Sequence, residues 1–224
     1  MLEIQLFRDL PVPELRRLVT VARRRRFDRR EVVFHDGDPA DALHLIAQGH
    51  FEARITTALG DTVTVSVHGP GEAFGEMALV QEGAVRSTTV AALEPGETYA
   101  VNRGDFARLR RQYPAVNDVL VRLLAQRVRR TSDLLVEALF VKADVRVLRR
   151  LDELAELYGA RVPGTVVPLT QDDIAGLAGT SRATVNRVLQ EEAARGTVEL
   201  RRGKTVVLEP AALIRRAGLP RMQA

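Results

Sequence analysis

The chain has 224 residues, of which 46% are hydrophobic and 28% are charged, and its 33 Lys and Arg residues against 29 Asp and Glu residues give a net charge of +4. This length allows one large domain or two small domains with hydrophobic cores, and the small basic excess is compatible with nucleic acid without requiring it. The absence of cysteine excludes disulfides, cysteine-ligated iron–sulfur clusters and thiol redox sensing, and the 4% share of aromatic residues disfavours nucleic-acid binding by base stacking.

The beginning of the chain predicts helices. Residues 2–21 are typical of one or two short helices that are interrupted near Pro11 and Pro13. They lack a signal-peptide pattern, and no stretch approaches the roughly 18 apolar residues of a membrane-spanning helix, so we expect a cytoplasmic protein that does not bind membranes. Four arginines follow at residues 23–26. Such a run can bind nucleic acid, but we favour a solvated edge that precedes the first strand.

From residue 30 onward the hydrophobic period shortens to about two, which predicts β-strands. Five short strands are expected, at residues 32–34, 43–46, 51–55, 63–67 and 98–101. Glycines separate them at intervals of about ten residues, a spacing typical of a barrel or a sandwich. This region also holds the four histidines, without the spacing of a metal motif, so we expect satisfied or solvated side chains and no metal site at His35, His44, His50 and His68.

Residues 74–90 are the most informative stretch of this half. Gly75 precedes Glu76, and Arg86 follows ten positions later with the hydroxyl of Ser87 beside it. Arginine presents a planar fork of donors to a phosphate, glycine lets the backbone approach a ligand, and a serine hydroxyl completes an anion site. A glutamate repels the phosphate but accepts a hydrogen bond from a sugar hydroxyl. The set suits a nucleotide, although solvated charges or a loose ion pair would give the same pattern.

A long amphipathic helix is predicted over residues 114–140. An apolar stripe of this length favours a parallel dimer, and the alternative is a helix that packs only on its own barrel. Thr131 and Ser132 interrupt the stripe, where polar side chains cost stability unless they find partners. The apolar positions recur three and four residues apart: Val116, Leu120, Leu123, Leu124, Val128, Leu135 and Leu139.

The C-terminal part predicts a helix at residues 145–158, a loop to residue 168 and then a helix-turn-helix. Thr170 and Asp173 form a capping-box-like start, Gly179 makes the turn and Ser181 caps the second helix. A plain helical hairpin is the alternative. Residues 197–208 then predict a β-hairpin, a wing whose tip carries Lys204 for contact with a DNA backbone.

The second helix of this motif carries base-reading chemistry. Arginine binds guanine in a bidentate manner, whereas asparagine and glutamine suit adenine. The N-terminal residues of a recognition helix meet base edges in the major groove. The expected DNA contacts are Arg182, Ala183, Asn186, Arg187 and Gln190 at the bases, and Thr170, Ser181, Thr184 and Lys204 at the phosphates.

Two sequence motifs resemble one known family. Phe-Gly-Glu-Met-Ala-Leu at residues 74–79, with Arg86 and Ser87, resembles the phosphate-binding cassette of cyclic-nucleotide-binding domains. Ser-Arg-Ala-Thr-Val-Asn-Arg at residues 181–187 resembles the Ser-Arg-Glu-Thr-Val-x-Arg motif of bacterial regulators of the cyclic-AMP receptor protein (CRP/FNR) family. The resemblance covers nearly the whole chain and implies an α+β fold. It divides into a jelly-roll-like cyclic-nucleotide-binding β-barrel (residues 1–113), a dimerisation helix (114–140) and a winged helix-turn-helix (141–224).

The resemblance also implies a function. A transcription regulator of this kind is a homodimer rather than an enzyme, binds double-stranded DNA, takes cyclic AMP as its effector, uses no metal and meets RNA polymerase. In the family a threonine–serine pair contacts the adenine, one hydroxyl from each subunit, and an arginine matching Arg127 can pair with the cassette glutamate. The implied effector contacts are Gly75, Glu76, Met77, Ala78, Arg86, Ser87, Thr88, Arg127, Thr131 and Ser132.

Two departures from the family pattern bear on these expectations. Thr88 stands where the cassette usually has alanine and can crowd the phosphate, so a regulator that ignores ligands and keeps a vestigial pocket is a second hypothesis. Ala183 replaces a glutamate that accepts a hydrogen bond from cytosine, so we expect relaxed specificity at one base pair. An enzyme using Glu76 and His68 is a third hypothesis, which the lack of a nucleophile–base set disfavours.

Overall fold

The computed structural model describes residue 13 and residues 20–57, 60, 62–79 and 83–218. Contacts divide the chain into two compact units whose main border lies between Thr131 and Ser132, inside one long helix. The helices expected at residues 2–21 lie almost entirely outside the described residues. Within the described ranges, no helix is both long and apolar enough to cross a membrane.

The N-terminal unit is built on two four-stranded sheets, with strand orders β1-β8-β3-β6 and β2-β7-β4-β5. The sequence pattern predicts five of these strands and misses β1, β6 and β7, because β6 has only two residues and β7 buries successive residues instead of alternating. The sheets confirm the expected jelly-roll-like β domain. The strands are β1 (Arg23–Phe27), β2 (Val32–Phe34), β3 (Ala42–Gln48), β4 (Phe51–Thr56), β5 (Thr62–His68), β6 (Ala73–Phe74), β7 (Thr89–Ala92) and β8 (Gly96–Asn102).

Aromatic side chains from both sheets fill the core between them. Phe27 and Phe74 come from one sheet, and Phe34 and Phe51 come from the other. The rings of Phe27 and Phe51 meet edge to face with centroids 5.7 Å apart. Each such ring removes a large apolar area from water, so this cluster fixes how the sheets pack and where the loops emerge.

The arginine run was expected to precede the first strand, and this placement is wrong. Residues 23–26 belong to β1 itself, an edge strand that pairs antiparallel with β8. All four arginines are exposed, and Arg24 Nη2 lies 2.5 Å from Glu97 Oε2 on β8. An edge strand gains its backbone hydrogen bonds from one neighbour and needs no apolar alternation when both of its faces meet water, which is why the pattern hides it.

His44 is a core residue of the barrel. Its ring stacks on Phe74 at a centroid distance of 5.0 Å, and Nδ1 lies 3.0 Å from Thr98 Oγ1. Burial lowers the pKa of His44 to about 3, and the positive charges of Arg86 and Arg25 act in the same direction. The imidazole is therefore neutral and satisfied at neutral pH, as the sequence predicts for a histidine outside a metal motif.

Two helices follow the sheets, α1 (Arg103–Gln112) and α2 (Ala115–Phe140). The helix α2 begins directly after Pro114, as predicted. Val116 and Leu120 near its start are buried against the barrel, whereas Val128 and Leu135 further along are 66% and 60% exposed. The apolar stripe thus continues past the residues that the N-terminal unit covers.

The C-terminal unit is a helix-turn-helix with a wing. Thr170 and Asp173 form the predicted capping box, and Gly179 adopts a left-handed φ of 56° at the turn. Ser181 caps the second helix by accepting a hydrogen bond from the Thr184 amide. These local signals agree with the tertiary packing and confirm the predicted motif. The elements are α3 (Ala143–Gly159), β9 (Thr165–Val167), α4 (Gln171–Ala178), α5 (Arg182–Ala194), β10 (Val198–Arg201), β11 (Lys204–Val207) and α6 (Pro210–Arg216), with sheet order β10-β11-β9.

The depressed pKa of His44 predicts acid destabilisation of the barrel. In the unfolded chain this histidine takes up a proton near its usual pKa of about 6.5, whereas in the folded protein it stays neutral down to about pH 3. The contribution of neutral His44 to the free energy of unfolding is therefore fully present above about pH 6.5 and is lost as the pH falls below that value. When the pH is lowered from 7 to 5, we expect the free energy of unfolding of the wild type to fall by about 2 kcal/mol more than that of a His44→Gln variant. Urea-induced unfolding followed by circular dichroism measures this, and parallel pH curves for the two proteins would contradict it.

Candidate functional sites

Arg86 is the centre of the cassette region. Its side chain is 97% buried, Nη1 donates to Ala42 O at 2.9 Å, and Nη2 donates to Asp41 Oδ1 at 3.0 Å. The face of the guanidinium lies 4.0 Å from the centre of the Phe34 ring, a cation–π contact. Burial lowers the pKa of Arg86 and Asp41 opposes that shift, so the side chain remains a cation.

Two details show that this cation is fixed yet incompletely satisfied. Its carboxylate partner Asp41 has a side chain that is 83% exposed, so the pair joins a buried group to a solvated one. The buried Nε of Arg86 has no hydrogen-bond partner among the described residues. Buried polar atoms in native proteins nearly always have partners, so the missing acceptor leaves this nitrogen able to donate to a further acceptor.

Gly75 is required by the position of Arg86. Its φ is +83°, and a Cβ built on it would lie 2.6 Å from Arg86 Nη1 and 3.0 Å from Ala42 O. The glycine therefore permits both the backbone conformation and the close approach of the guanidinium. Beside it, Met77 and Ser87 are exposed and Thr88 is half-buried; of Ala78 only the backbone is described.

Glu76 forms the second charged pair of the site. It is 4% exposed and opens a single turn of 3₁₀ helix, residues 76–79. Arg127 on α2 reaches it, with Nε 3.3 Å from Glu76 Oε1. The same guanidinium meets two side chains of β5, with Nη1 at 3.2 Å from both Ser66 Oγ and His68 Nε2. Thus β5, the cassette turn and α2 meet around one arginine.

Sequence reasoning missed Ser66 and did not assign His68 to this site. A signal was present, since residues 66 and 68 fall on the same face of a strand with a period of two. What the pattern lacks is any indication that this face meets Arg127, because the contact joins residues about sixty positions apart. The other two predicted effector residues on α2, Thr131 and Ser132, are both exposed.

The predicted base-reading residues share one exposed face of α5. Val185, Val188 and Leu189 are buried on the opposite face. Thr184 is half-buried and its amide is bound by the capping Ser181, while Thr170 is half-buried at the α4 cap. The exposed side chains are Arg182, Ala183, Asn186, Arg187 and Gln190, and Lys204 is exposed at the hairpin.

Acidic neighbours hold the arginines of this face. Arg187 Nη1 donates to Glu191 Oε1 at 2.9 Å, and Nη2 pairs with Asp144 at the start of α3. Arg182 Nη1 lies 3.6 Å from Asp172 Oδ2. The hydrogen bonds from Arg187 to Asp144 and Glu191 raise its pKa. All these groups are solvated, so the ion pairs are weak. They orient the arginine side chains but can be exchanged for contacts with another partner.

No metal centre accompanies either region: within the described parts of the chain, no three His, Asp or Glu residues are grouped so that they could hold a metal ion.

Comparison with known proteins supports the division into these two sites. A cyclic nucleotide-binding domain model matches residues 24–113, and a Crp-like helix-turn-helix domain model matches residues 145–216. The chain is 37% identical over 209 residues to the cyclic AMP receptor protein of Thermus thermophilus, which covers 93% of this chain and 94% of that protein. It is 30% identical over 194 residues to the CRP-like cAMP-activated global transcriptional regulator of Mycobacterium tuberculosis, and this alignment covers 85% of this chain and 86% of that protein.

A solved structure shows the same fold at lower sequence identity. The c-di-GMP-responsive global regulator CLP of Xanthomonas campestris superposes with a TM-score of 0.78 at 23% identity, covering 88% of this chain and 99% of that one. At this identity the likeness concerns the fold alone.

The crowding at Gly75 predicts a steric effect that can be separated from backbone strain. Gly37 has a similar φ of +86°, but a Cβ there would meet nothing within 4 Å. We expect Gly37→Ala to lower the free energy of unfolding by about 1 kcal/mol through strain alone, and Gly75→Ala to cost at least about 1 kcal/mol more because it displaces Arg86. Urea denaturation of both variants measures the difference, and equal costs would show that the cassette can absorb a methyl group.

Proposed function

Because this chain belongs to the CRP family of transcription regulators, we propose that it is a homodimer whose binding to DNA is controlled by cyclic AMP held in the N-terminal barrel. The observation that carries the effector part is the buried guanidinium of Arg86, whose Nε lacks a partner among the described residues and whose Nη2 meets only an exposed carboxylate. A cyclic phosphate is a monoanion that can replace Asp41 and accept from both nitrogens.

The remaining cassette groups suit the rest of a nucleotide. Glu76 can accept a hydrogen bond from a ribose hydroxyl, and the exposed hydroxyl of Ser87 can donate to a phosphate oxygen. Thr131 and Ser132 present hydroxyls on α2 that suit an adenine edge. Cyclic AMP is favoured over other cyclic nucleotides because the relatives at 37% and 30% identity carry it in their names.

Exposed apolar side chains on α2 support the homodimer. Val121, Val128 and Leu135 recur at intervals of seven residues and are 63%, 66% and 60% exposed in the single chain. Seven-residue spacing is the repeat of a coiled coil, in which a second copy of the helix buries the same positions. A two-fold axis along this stripe would bring Thr131 of each copy beside the other.

Exposed donors on α5 support DNA reading. A dimer presents two such helices, so the target is a near-palindrome with half-sites one helical turn, about 34 Å, apart. Arg187 exchanges Asp144 and Glu191 for guanine, and Asn186 offers an amide to adenine. Because the protein acts on DNA, RNA polymerase is the further partner and the cytoplasm is the location we infer.

A ligand-independent regulator is the second candidate. In this form the pair between Arg86 and Asp41 would be permanent, and the half-buried Thr88 would fill the space of the phosphate. The two candidates differ in one property, which is whether the buried guanidinium exchanges its carboxylate for a phosphate.

Opposite effects are expected from the two members of that pair. Arg86→Ala removes the phosphate partner and should weaken cyclic AMP binding by roughly a hundredfold, whereas Asp41→Asn removes the competing carboxylate and should tighten it severalfold. Calorimetric titration of cyclic AMP measures both, with the exposed Arg29→Ala as the charge-matched control. An unchanged affinity in Asp41→Asn contradicts the exchange, and no binding by the wild type supports the ligand-independent candidate.

The dimer is tested by a charge placed in the stripe. Leu135→Glu puts two like charges beside each other across the two-fold axis. It should raise the dissociation constant of the dimer by at least about tenfold and so favour the monomer. Gln126→Glu adds the same charge at an exposed position of α2 outside the stripe and should leave the dimer intact. Sedimentation equilibrium distinguishes the two, and equal association of both variants would exclude the stripe as the interface.

A further inference from the structure

Asn186 on the exposed face of α5 is held by a side chain from the other helix of the motif. Gln171 Nε2, at the start of α4, donates to Asn186 Oδ1 at 3.2 Å. Asn186 is exposed, whereas Gln171 is half-buried. The hydrogen bond therefore joins a residue of the anchored helix α4 to the surface that carries the expected base contacts.

Both ends of this hydrogen bond stand on fixed backbone. Gln171 is the first residue of α4 and directly follows Thr170, whose backbone N–H donates to Asp173 Oδ2 at 2.7 Å in the capping box. Asn186 directly follows Val185, which is fully buried under α5. Because the capping box fixes the first turn of α4 and the buried face fixes α5, the two amides meet without any loop having to become ordered.

The chemistry of an amide lets Asn186 contact Gln171 and a base at the same time. Its oxygen has two lone pairs and its nitrogen carries two protons, so one hydrogen bond to Gln171 leaves an acceptor and a donor side by side. An adjacent acceptor and donor match N6 and N7 of adenine in a bidentate contact. Since the hydrogen bond opposes rotation of the amide, this edge is oriented before DNA arrives.

Arg187 on the same face is held in a different way. Its partners Asp144 and Glu191 are carboxylates, which repel the phosphates of DNA. An arginine held in this way exchanges its partners when it binds guanine. Gln171 is neutral, so Asn186 can keep its partner while it contacts a base.

Ala183 leaves space beside Asn186. The two residues lie three positions apart on α5 and both are exposed, so their side chains are neighbours on one face of the helix. The methyl group of an alanine does not form hydrogen bonds, but it packs on the methyl group of thymine. A·T base pairs therefore suit both side chains, with adenine at Asn186 and the thymine methyl group at Ala183.

On the premise that α5 reads DNA as described under the proposed function, we propose that Gln171 is a positioning residue for base recognition. It orients the amide of Asn186, so that the protein requires adenine at one position of each half-site. The specificity at this position thus depends on a residue of α4 that acts through Asn186. Specificity at the other positions is independent of Gln171.

Three variants separate this role from a contact with phosphate. Gln171→Leu keeps the bulk of the side chain and removes its amide, and Asn186→Ala removes the reader. Gln126→Leu, the matched control, makes the first change at an exposed position of α2. The wild type first selects its site from randomised duplexes, with and without cyclic AMP. Fluorescence anisotropy then compares binding to the selected site with binding to sites in which one A·T pair at a time is replaced by G·C.

The wild type should show one A·T position in each half-site at which replacement weakens binding about tenfold or more. Asn186→Ala should lower this penalty to about twofold or less, and Gln171→Leu should lower it at least about threefold at the same position without changing the penalties elsewhere. The double variant should match Asn186→Ala, because Gln171 acts through Asn186. Gln126→Leu should bind every site like the wild type.

Four results would overturn the role of Gln171. The first is a Gln171→Leu variant that binds every sequence equally more weakly, which is the signature of a phosphate contact. The second is a Gln171→Leu variant that keeps the full penalty of the wild type. The third is a double variant that discriminates less than Asn186→Ala, and the fourth is a wild type without a required A·T pair. Circular dichroism verifies folding, and Gln171→Ala gives the same readout should Gln171→Leu not fold.

Failure of the proposed function gives different results. A wild type that selects the same site with the same affinity whether or not cyclic AMP is present overturns the effector part of that function and leaves the test of Gln171 intact. A wild type that selects no site under either condition overturns the DNA-reading part, and the role of Gln171 with it.

Discussion

The N-terminal unit depends on Arg86, because the positive charge of a side chain that is 97% buried must be compensated by the groups around it. Backbone oxygen from β3, the π face of Phe34 and the carboxylate of Asp41 share this task. Gly75 has no side chain because any Cβ would collide with this arginine. Asp41 is the partner with the greatest exposure, and it is the one that the proposed effector phosphate would replace.

Arg127 extends the same logic from the cassette to the long helix. One guanidinium meets Glu76, Ser66 and His68, so this part of α2 is held by charged and polar side chains of the N-terminal unit. In the proposed function, an effector that changes the surroundings of Glu76 would act on α2 through Arg127. A ligand shifts a conformational equilibrium only by its differential affinity for the two states.

The C-terminal unit uses ion pairs in another way. Arg187 and Arg182 are solvated and paired with Asp144, Glu191 and Asp172, so their partners cost little to exchange for DNA. The buried face of α5 fixes the helix, and the exposed face is free to vary. Ala183, where the family pattern has a glutamate, lies on this exposed face.

The sequence by itself determined whatever depends on near neighbours in the chain. The capping box of Thr170, the turn at Gly179 and the start of α2 after Pro114 follow from local geometry, and the two motifs indicated the family. Tertiary structure alone decided that the arginine run is an edge strand, that Asp41 pairs with Arg86 across 45 positions, and that Ser66 and His68 surround Arg127. Those contacts arise where separate strands and α2 pack together, and no periodicity within one segment encodes which faces will meet.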